Sequence, residues 1–220
     1  MQSAEAADRL SAVRRAVLFR DGLIINMVSY RPLRLKNFAG MQLGLHLKKV
    51  GGIWHILVAA DETKTRVPYQ AIVPQTLLPK LERYLSVYRP VLIRGKRVRD
   101  QTNRKVFRER KKPDHLNLDA VWVSEVGTQL DPHALACRIV KHTRAAFGRS
   151  ISPHLFRDCA ATSIAVDNPK HIGDASLVLG HIGHRTTQKH YNHGRSLEAS
   201  RRLGAALATL AERLTANLDR

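Results

Sequence analysis

The stretch from Gln42 to Pro74 constrains the fold most, because its polar and apolar residues alternate while the flanking sequence follows helical spacing. The pair Gly51-Gly52 and the run ADETK divide it into three pieces, and such turn residues between alternating segments are typical of hairpins. We predict three antiparallel strands near residues 42–48, 53–59 and 66–73. Lys64 then lies in the second turn or at the start of the third strand.

Helices are predicted on both sides of this sheet. The N-terminal segment, residues 1–19, is predicted to contain a helix that runs roughly over residues 4–19. In SYRPLRLKNFAGM, Pro32 suits the first position of a second helix, which places Arg34 one turn in. PQTLLPKLERYLSVYRP has leucines at helical spacing. The fold class is therefore α+β, mostly helical, with a small three-stranded antiparallel sheet.

Start and stop signals define the helices of the C-terminal half. One is predicted to begin with Asp131 and Pro132 and to end at Gly148, and the next has Ser152 as N-cap and Pro153 at its first position. A short helix before Gly180 and a helical turn that carries Tyr191 are also predicted. Residues 196–220 form the last helix, and its leucines make an apolar stripe.

The positive charge of the chain narrows the choice of partner. Lys and Arg number 37 against 18 acidic residues, which gives a formal net charge of +19. Such a field attracts polyanions, of which nucleic acid is the commonest. A membrane surface is the rival partner, but no clear basic amphipathic helix, lipidation signal or membrane-spanning apolar run is found. A structural RNA-binding protein is a weaker reading that rests on charge alone.

The most basic segment runs from Arg89 to Lys112. It contains eleven Lys or Arg residues and only two acids, Asp100 and Glu109. One interpretation is a solvated loop or exposed helix face, and the other is a surface that follows a phosphate backbone. The sequence supports both interpretations about equally.

The cysteines favour a reducing compartment. The two of them, Cys137 and Cys159, cannot build a disulfide framework, so we expect reduced thiols. The N-terminal residues lack the apolar region of a secretory signal. A cytoplasmic location is therefore expected.

The segment from His154 to Gly194 concentrates histidines and cations around a single tyrosine. The spacing of His181 with His184, or of His190 with His193, resembles that of zinc ligands. Crowding by cations and the absence of nearby cysteine oppose a metal site. A site that handles a phosphate is the favoured alternative, because His154 and Arg157 lie three apart in a first helical turn, where an anion is stabilised.

Five short motifs in a fixed order resemble the catalytic domain of the tyrosine recombinases, the phage integrase family. They are LRLKNFAGM with Arg34, ETKTRVP with Lys64, HLFR with His154 and Arg157, LGH with His181, and TTQKHYNH with Tyr191. The similarity covers roughly residues 20–195. An H-x-x-R pair alone is a weak signal, whereas all five motifs in this order are specific.

The resemblance implies a mechanism without any cofactor. Arg34 and Arg157 would clamp the non-bridging oxygens of a phosphodiester, and His181 would donate a further hydrogen bond to it. His154 would act as the base for Tyr191, the nucleophile, and Lys64 would protonate the leaving 5′-oxygen. The product would be a 3′-phosphotyrosyl link that a free 5′-hydroxyl can reverse. No metal or ATP would be required.

The resemblance also sets expectations for organisation and partners. Residues 1–220 would form a single catalytic domain without the N-terminal core-binding domain of the family. The partner would be double-stranded DNA, and the family acts as a homo-oligomer, a tetramer, on that DNA. The helix at residues 196–220 would either be exchanged between protomers or pack on its own domain.

Three positions depart from the family pattern. Asn37 stands where an acid often braces the first arginine, Asp158 stands where histidine is common, and His190 precedes Tyr191 where some members place the nucleophile.

Taken with the five motifs, the sequence predicts a site-specific DNA recombinase or integrase, of the kind found on mobile elements. The alternative is a non-catalytic or truncated DNA-binding relative that occupies recombination sites or modulates a full-length recombinase.

Overall fold

The structure is a computed structural model that describes residues 10–99, 105–109 and 119–167. The chain divides into two compact units, residues 1–156 and residues 157–220. The second unit is described only as far as Asp167. The prediction of one catalytic domain over residues 1–220 remains a prediction, and the helix predicted at 196–220 lies outside the described residues.

The first helix, α1, spans Ala12–Tyr30, and the Ser11 hydroxyl caps it by accepting from the Arg14 N–H. It therefore extends eleven residues past Phe19, where the sequence-based prediction ended it. Leu23, Ile24 and Met27 are fully buried in this extension. Their burial at helical spacing outweighs the low helix propensity of Gly22 and of the neighbouring β-branched residues.

Three strands form the predicted antiparallel sheet in the order β1-β2-β3. The strands are β1 (Leu47–Val50), β2 (Ile53–Val58) and β3 (Tyr69–Ile72), all shorter than predicted. Gly51 and Gly52 connect β1 to β2 with φ of 56° and 82°, values that glycine adopts without strain. The loop between β2 and β3 contains a 3₁₀ turn, Ala60–Glu62, and it also contains Lys64.

A continuous helical segment follows β3. It consists of a 3₁₀ turn (Gln75–Leu77), α3 (Leu78–Arg83), a π-helical turn (Tyr84–Tyr88) and α4 (Arg89–Arg94). The predicted helix is confirmed, and it continues past Pro90. The Arg89 N–H, just before this proline, donates to Tyr84 O in the wider π turn. Pro90 has no N–H to contribute to a regular ladder, which fits a change of helical pitch at this point.

The basic segment contains an antiparallel hairpin that the sequence did not predict. Its strands are β4 (Gly95–Arg99) and β5 (Lys105–Glu109). The pairing places Lys96 opposite Arg108 and Arg99 opposite Lys105. The description of this segment as a loop or an exposed helix face is therefore wrong for these ten residues.

Two helices complete the described fold. One is α5 (Pro132–Phe147), which Asp131 caps through the Ala134 N–H and Gly148 ends with φ of 67°, as predicted. The other is α6 (Pro153–Asp167), which begins at the predicted proline. The boundary between the two compact units lies inside α6, after Phe156.

The core of the first unit is built around Trp122. Phe38 of α2 (Leu35–Ala39) stacks on Trp122 with ring centroids 5.0 Å apart, and Tyr84 packs against the same ring at 5.7 Å. The Tyr84 hydroxyl donates to Val121 O at 2.9 Å. These contacts fix α2, which follows Arg34, against the centre of the unit. Within the described residues, no helix is both long and apolar enough to span a membrane.

Candidate active site

Arg34 lies at the N-terminal boundary of α2 rather than one turn inside it. Its backbone is extended, with φ of −60° and ψ of 137°, and its carbonyl accepts the first helical hydrogen bond from the Phe38 N–H at 2.9 Å. The Leu33 N–H donates back to Arg31 O, so the chain turns just before the helix. The side chain of Arg34 is half-buried. Buried Phe38 and Ala39 fix the helix that begins beside it.

Lys64 is exposed in the loop that joins β2 to β3. The loop is ordered by its own hydrogen bonds. The Thr63 hydroxyl lies within hydrogen-bond distance of two carbonyls, Ala60 O at 3.0 Å and Val67 O at 2.9 Å. The Arg66 N–H donates to Thr63 O, and Arg66 adopts φ of 56°, a left-handed conformation that is uncommon outside glycine. Lys64 is thus carried by a compact turn of defined shape.

Asn37 links the Lys64 loop to the helix that follows Arg34. Its Nδ2 donates to the backbone carbonyl of Glu62 at 3.1 Å. Asn37 lies three residues after Arg34, and Glu62 lies two residues before Lys64. The fold therefore brings together two of the segments that the sequence assigns to the site. It also gives a direct role to Asn37, the residue that stands where the family often has an acid.

His46 fixes the same loop from the sheet side. It lies just before β1 and is buried, and its Nδ1 accepts from the Gln42 N–H at 3.0 Å. Since Nδ1 is an acceptor, the ring proton of the neutral tautomer is on Nε2. Nε2 then donates to Glu62 Oε1 at 2.7 Å. The second carboxylate oxygen of Glu62 accepts from the Ala59 N–H at 3.0 Å.

The charged form of Glu62 is favoured by these bonds. The hydrogen bond from His46, and after it the one from the Ala59 N–H, hold the pKa of the Glu62 carboxyl below its ordinary value.

A cavity of about 240 Å³ adjoins the contact between His46 and Glu62. It is lined by Lys36, Asn37, Gly40, His46, Val58 and Glu62.

His154 occupies the first turn of α6. It is exposed, and the Leu155 N–H donates to Ser152 O beside it. The preceding connection is fixed to α5, because the Ile151 N–H donates to the Thr143 hydroxyl at 3.0 Å. Phe156, two residues after His154, packs against the core of the first unit. His154 therefore starts a helix whose beginning is well anchored.

The other predicted site residues fall beyond this unit. Arg157 is the first residue of the second unit and is 6% exposed, so its guanidinium is buried. His181 and Tyr191 lie outside the described residues, as do the histidine pairs considered for zinc. Within residues 10–99 and 119–163, no three His, Cys, Asp or Glu side chains gather as a metal site would require.

Sequence reasoning missed the roles of His46 and Glu62. A weak signal was present, since His46 in GLHL falls among apolar residues inside the strand predicted near 42–48. A polar side chain at such a position needs a buried partner. Nothing in the sequence identified Glu62 as that partner, because the pairing depends on the path of the loop.

Comparisons with known proteins agree on the fold. No protein-family model matches the sequence. No curated protein matches it either. The chain is similar to the site-specific recombinase XerH bound to a palindromic difH substrate in a post-cleavage complex, at 17% identity and a TM-score of 0.61. It is similar to XerH bound to a difH substrate in a pre-cleavage complex at 18% identity and a TM-score of 0.60. It is also similar to the recombinase XerA, at 16% identity and a TM-score of 0.54.

These similarities cover 90% of this chain. The chain spans about half the length of XerH, 49%, and 60% of XerA. The mostly helical architecture and the three-stranded antiparallel sheet predicted from the sequence are confirmed. The chain has the tyrosine recombinase fold, which it shares with XerH and XerA.

Proposed function

We propose that the chain is a site-specific DNA recombinase that cuts and rejoins strands through a 3′-phosphotyrosyl intermediate. The observation that carries this proposal is the hydrogen bond from Asn37 to Glu62 O, which joins the Arg34 segment to the Lys64 loop within a recombinase fold. A site that must hold an arginine and a general acid around one phosphate needs such fixed segments. The bond supports the proposal for two of the six groups, because it joins the segments that carry Arg34 and Lys64.

The proposed reaction has two chemical events. The oxygen of Tyr191 attacks the scissile phosphorus and forms the phosphotyrosyl bond while its proton passes to His154. The bond from phosphorus to the 5′-oxygen breaks, and Lys64 gives that oxygen a proton. The cations and donors that would stabilise the transition-state charge are Arg34, Arg157 and His181. Attack by another 5′-hydroxyl reverses both events, so the proposed cycle uses no metal, ATP or other cofactor.

Double-stranded DNA is the proposed partner, and the hairpin of β4 and β5 is proposed to contact its phosphates. Two of its five cross-strand pairs join like charges, Lys96 with Arg108 and Arg99 with Lys105. Directly opposed like charges destabilise a strand pair, and a two-stranded hairpin is marginal by itself. Phosphates would relieve this repulsion. The formal net charge of +19 supports the same partner.

The proposed function also includes two properties of the whole protein. The chain is proposed to assemble as a homo-oligomer on DNA and to act in the cytoplasm.

A second function is favoured by the departures from the family pattern. Asn37 stands where an acid often occurs, and Asp158 stands where histidine is common. A relative that has lost catalysis would keep the fold and the basic hairpin, and it would bind recombination sites or modulate a full-length recombinase. Such a protein would bind DNA with strong salt dependence and would form no covalent product.

Covalent trapping separates the two functions. A library of nicked duplexes with randomised arms supplies the cleavage site, because the short fragment released beside the nick diffuses away and prevents religation. The recombinase predicts a protein–DNA adduct that survives denaturation and disappears in Tyr191→Phe, while that variant still binds DNA. Equal, salt-sensitive binding by both proteins without any adduct would overturn the recombinase and support the non-catalytic relative.

A further inference from the structure

Three segments meet at Glu62, and none of the proposed chemical steps uses this residue. Its backbone carbonyl accepts from Asn37 Nδ2 at 3.1 Å, and its carboxylate accepts from His46 Nε2 at 2.7 Å and from the Ala59 N–H at 3.0 Å. Asn37 belongs to α2, the helix that follows Arg34, and His46 precedes β1. Glu62 is therefore the residue through which the Lys64 loop is joined both to α2 and to the segment before β1.

We propose that Glu62 and His46 are positioning residues that hold the Lys64 loop at a fixed distance from the Arg34 segment. This inference rests on the proposed function, because it gives the fixed distance a purpose in protonating the leaving 5′-oxygen. Neither residue exchanges a proton with the substrate. Their effect on the reaction passes through Lys64.

The carboxylate of Glu62 cannot be replaced by an amide without loss. Both of its partners are donors. The His46 Nδ1 already accepts from the Gln42 N–H and the Ala59 carbonyl accepts from the Glu62 N–H, so the carboxylate is left with the His46 Nε2–H and the Ala59 N–H. Glutamine has one accepting oxygen and one NH₂ group, so Glu62→Gln would leave one donor facing another donor. His46 is 7% exposed, so a lost bond would leave its ring N–H in a buried position, whereas the Glu62 side chain is 38% exposed and can still reach water.

The exposed position of Lys64 makes this support necessary. A long side chain on a loop has many conformations, and a general acid acts only within hydrogen-bond distance of the atom it protonates. Displacement by about 1 Å at a reacting site costs about 100-fold in rate. Loss of one bond at Glu62 would loosen the loop partly, and we expect a cleavage rate reduced by about 10-fold or more.

A substrate with a bridging 5′-sulfur tests whether the effect passes through Lys64. A thiol has a pKa of about 8.5, so a thiolate leaves without a proton, whereas an oxygen leaving group needs one. Glu62→Gln and Lys64→Ala should both slow single-turnover adduct formation on the oxygen substrate, and both should approach the wild-type rate on the sulfur substrate. Glu82→Gln is the control, because Glu82 of α3 also accepts from a ring N–H, that of Trp54, and from Lys49, and both donors lie beside the Gly51-Gly52 turn rather than in the Lys64 loop. It should cleave both substrates at the wild-type rate.

The two histidine variants add a check by conservative replacement. His46→Gln keeps an N–H donor for Glu62, so it should cleave the oxygen substrate faster than His46→Leu, which offers none. Equal defects of Glu62→Gln on the oxygen and sulfur substrates would overturn the inference, since a general loss of folding or DNA binding affects both. A wild-type rate of Glu62→Gln on the oxygen substrate would overturn it as well.

Hydrogen exchange in the free protein keeps this inference separate from the proposed function. Glu62→Ala removes both accepting oxygens, so the Ala59 amide, which donates to Glu62 Oε2, should exchange at least 10-fold faster in Glu62→Ala than in the wild type or in Glu82→Ala. Unchanged exchange at Ala59 would overturn the positioning role, whatever the protein does to DNA. Faster exchange at Ala59 together with no adduct from the wild type on either substrate would instead overturn the proposed recombinase.

Discussion

His142 and Asp21 lie on different helices, and His142 Nε2 contacts Asp21 Oδ2 at 2.9 Å. Asp21 belongs to α1 and is 1% exposed, and α5 also supplies Arg138, whose Nε donates to the same oxygen at 2.6 Å. The other oxygen of Asp21 accepts from the buried Arg20, which in turn donates to Val123 O at 2.7 Å. One carboxylate thus joins α1, α5 and, through Arg20, the segment that contains Trp122.

Removing this carboxylate is predicted to cost much stability. In Asp21→Asn, the buried Arg20 and the partly buried Arg138 would lose their anion, and breaking a buried pair in this way costs about 3–5 kcal/mol. Urea unfolding of the whole chain, followed by Trp fluorescence, measures the change. Asp61→Asn is the matched control, because Asp61 is exposed and should change the free energy of unfolding by less than about 0.5 kcal/mol. Equal stabilities of the two variants would contradict the role of Asp21.

The same carboxylate predicts how stability depends on acid. Burial would raise the pKa of Asp21, but the His142 hydrogen bond and the charges of Arg20 and Arg138 outweigh it and lower the pKa from 3.8 to about 2. Because the folded pKa is depressed, the stabilisation is complete above pH 3.8 and is lost as the pH falls toward 2. The loss should be about 2 kcal/mol. Unfolding free energies measured between pH 5 and pH 2 should fall less steeply in Asp21→Asn than in the wild type, and parallel curves would contradict the assignment.

Asn37 provides a prediction that runs against the family pattern. An aspartate there would place a carboxylate oxygen near the Glu62 carbonyl, which now accepts at 3.1 Å, and two acceptors repel. We expect Asn37→Asp to loosen the Lys64 loop more than Asn37→Ala, with a destabilisation of about 0.5–1.5 kcal/mol because the bond is exposed. Hydrogen exchange of the Thr63 and Ala59 amides measures the loosening. Asn26→Asp is the control, because Asn26 donates to Gly22 O within α1 and its change should leave the loop amides unaffected. Slower exchange in Asn37→Asp would show that the acid is preferred here as well.

The basic hairpin gives a prediction for DNA affinity. Each phosphate contact contributes about 0.9 to the slope of log K against log salt on duplex DNA. Lys96→Gln combined with Arg108→Gln should therefore reduce that slope by up to about 2. The control is Lys141→Gln combined with Lys48→Gln, which removes the same charge from α5 and β1 and should change the slope less. Fluorescence anisotropy with labelled duplex DNA from 50 to 300 mM salt measures the slope for each double variant. Identical slopes for the two double variants would contradict the proposed contact.

Much of the fold could be predicted because its signals are local. The alternation around Gly51-Gly52 predicts the sheet, and Asp131, Pro132 and Gly148 mark the ends of α5 correctly. The errors have different causes. The helix α1 continues past Gly22 because Leu23 and Met27 are buried against other elements. The hairpin of β4 and β5 is local, but its charges indicated either a solvated segment or a phosphate-binding surface and did not predict strands.

The candidate site was predictable by residue type and order, and less so by geometry. The motif order identifies Arg34 and Lys64, but Arg34 lies at the boundary of α2 because the chain turns at Leu33. The contacts of Asn37 and His46 with Glu62 depend on how the loop after β2 folds back onto α2. A linear sequence does not encode that path in any short motif, so the bonds that fix the loop emerged only from the structure.

The most direct test of the central claim is to identify the residue that carries DNA after trapping. The adduct formed on a nicked duplex is digested with protease and nuclease, and tandem mass spectrometry locates the remaining nucleotide. We predict a single modified peptide with a 3′-phosphoryl nucleotide on Tyr191, and none from Tyr191→Phe. A nucleotide on another residue, or DNA binding with no modified peptide, would contradict the claim that this chain is a tyrosine recombinase in activity as well as in fold.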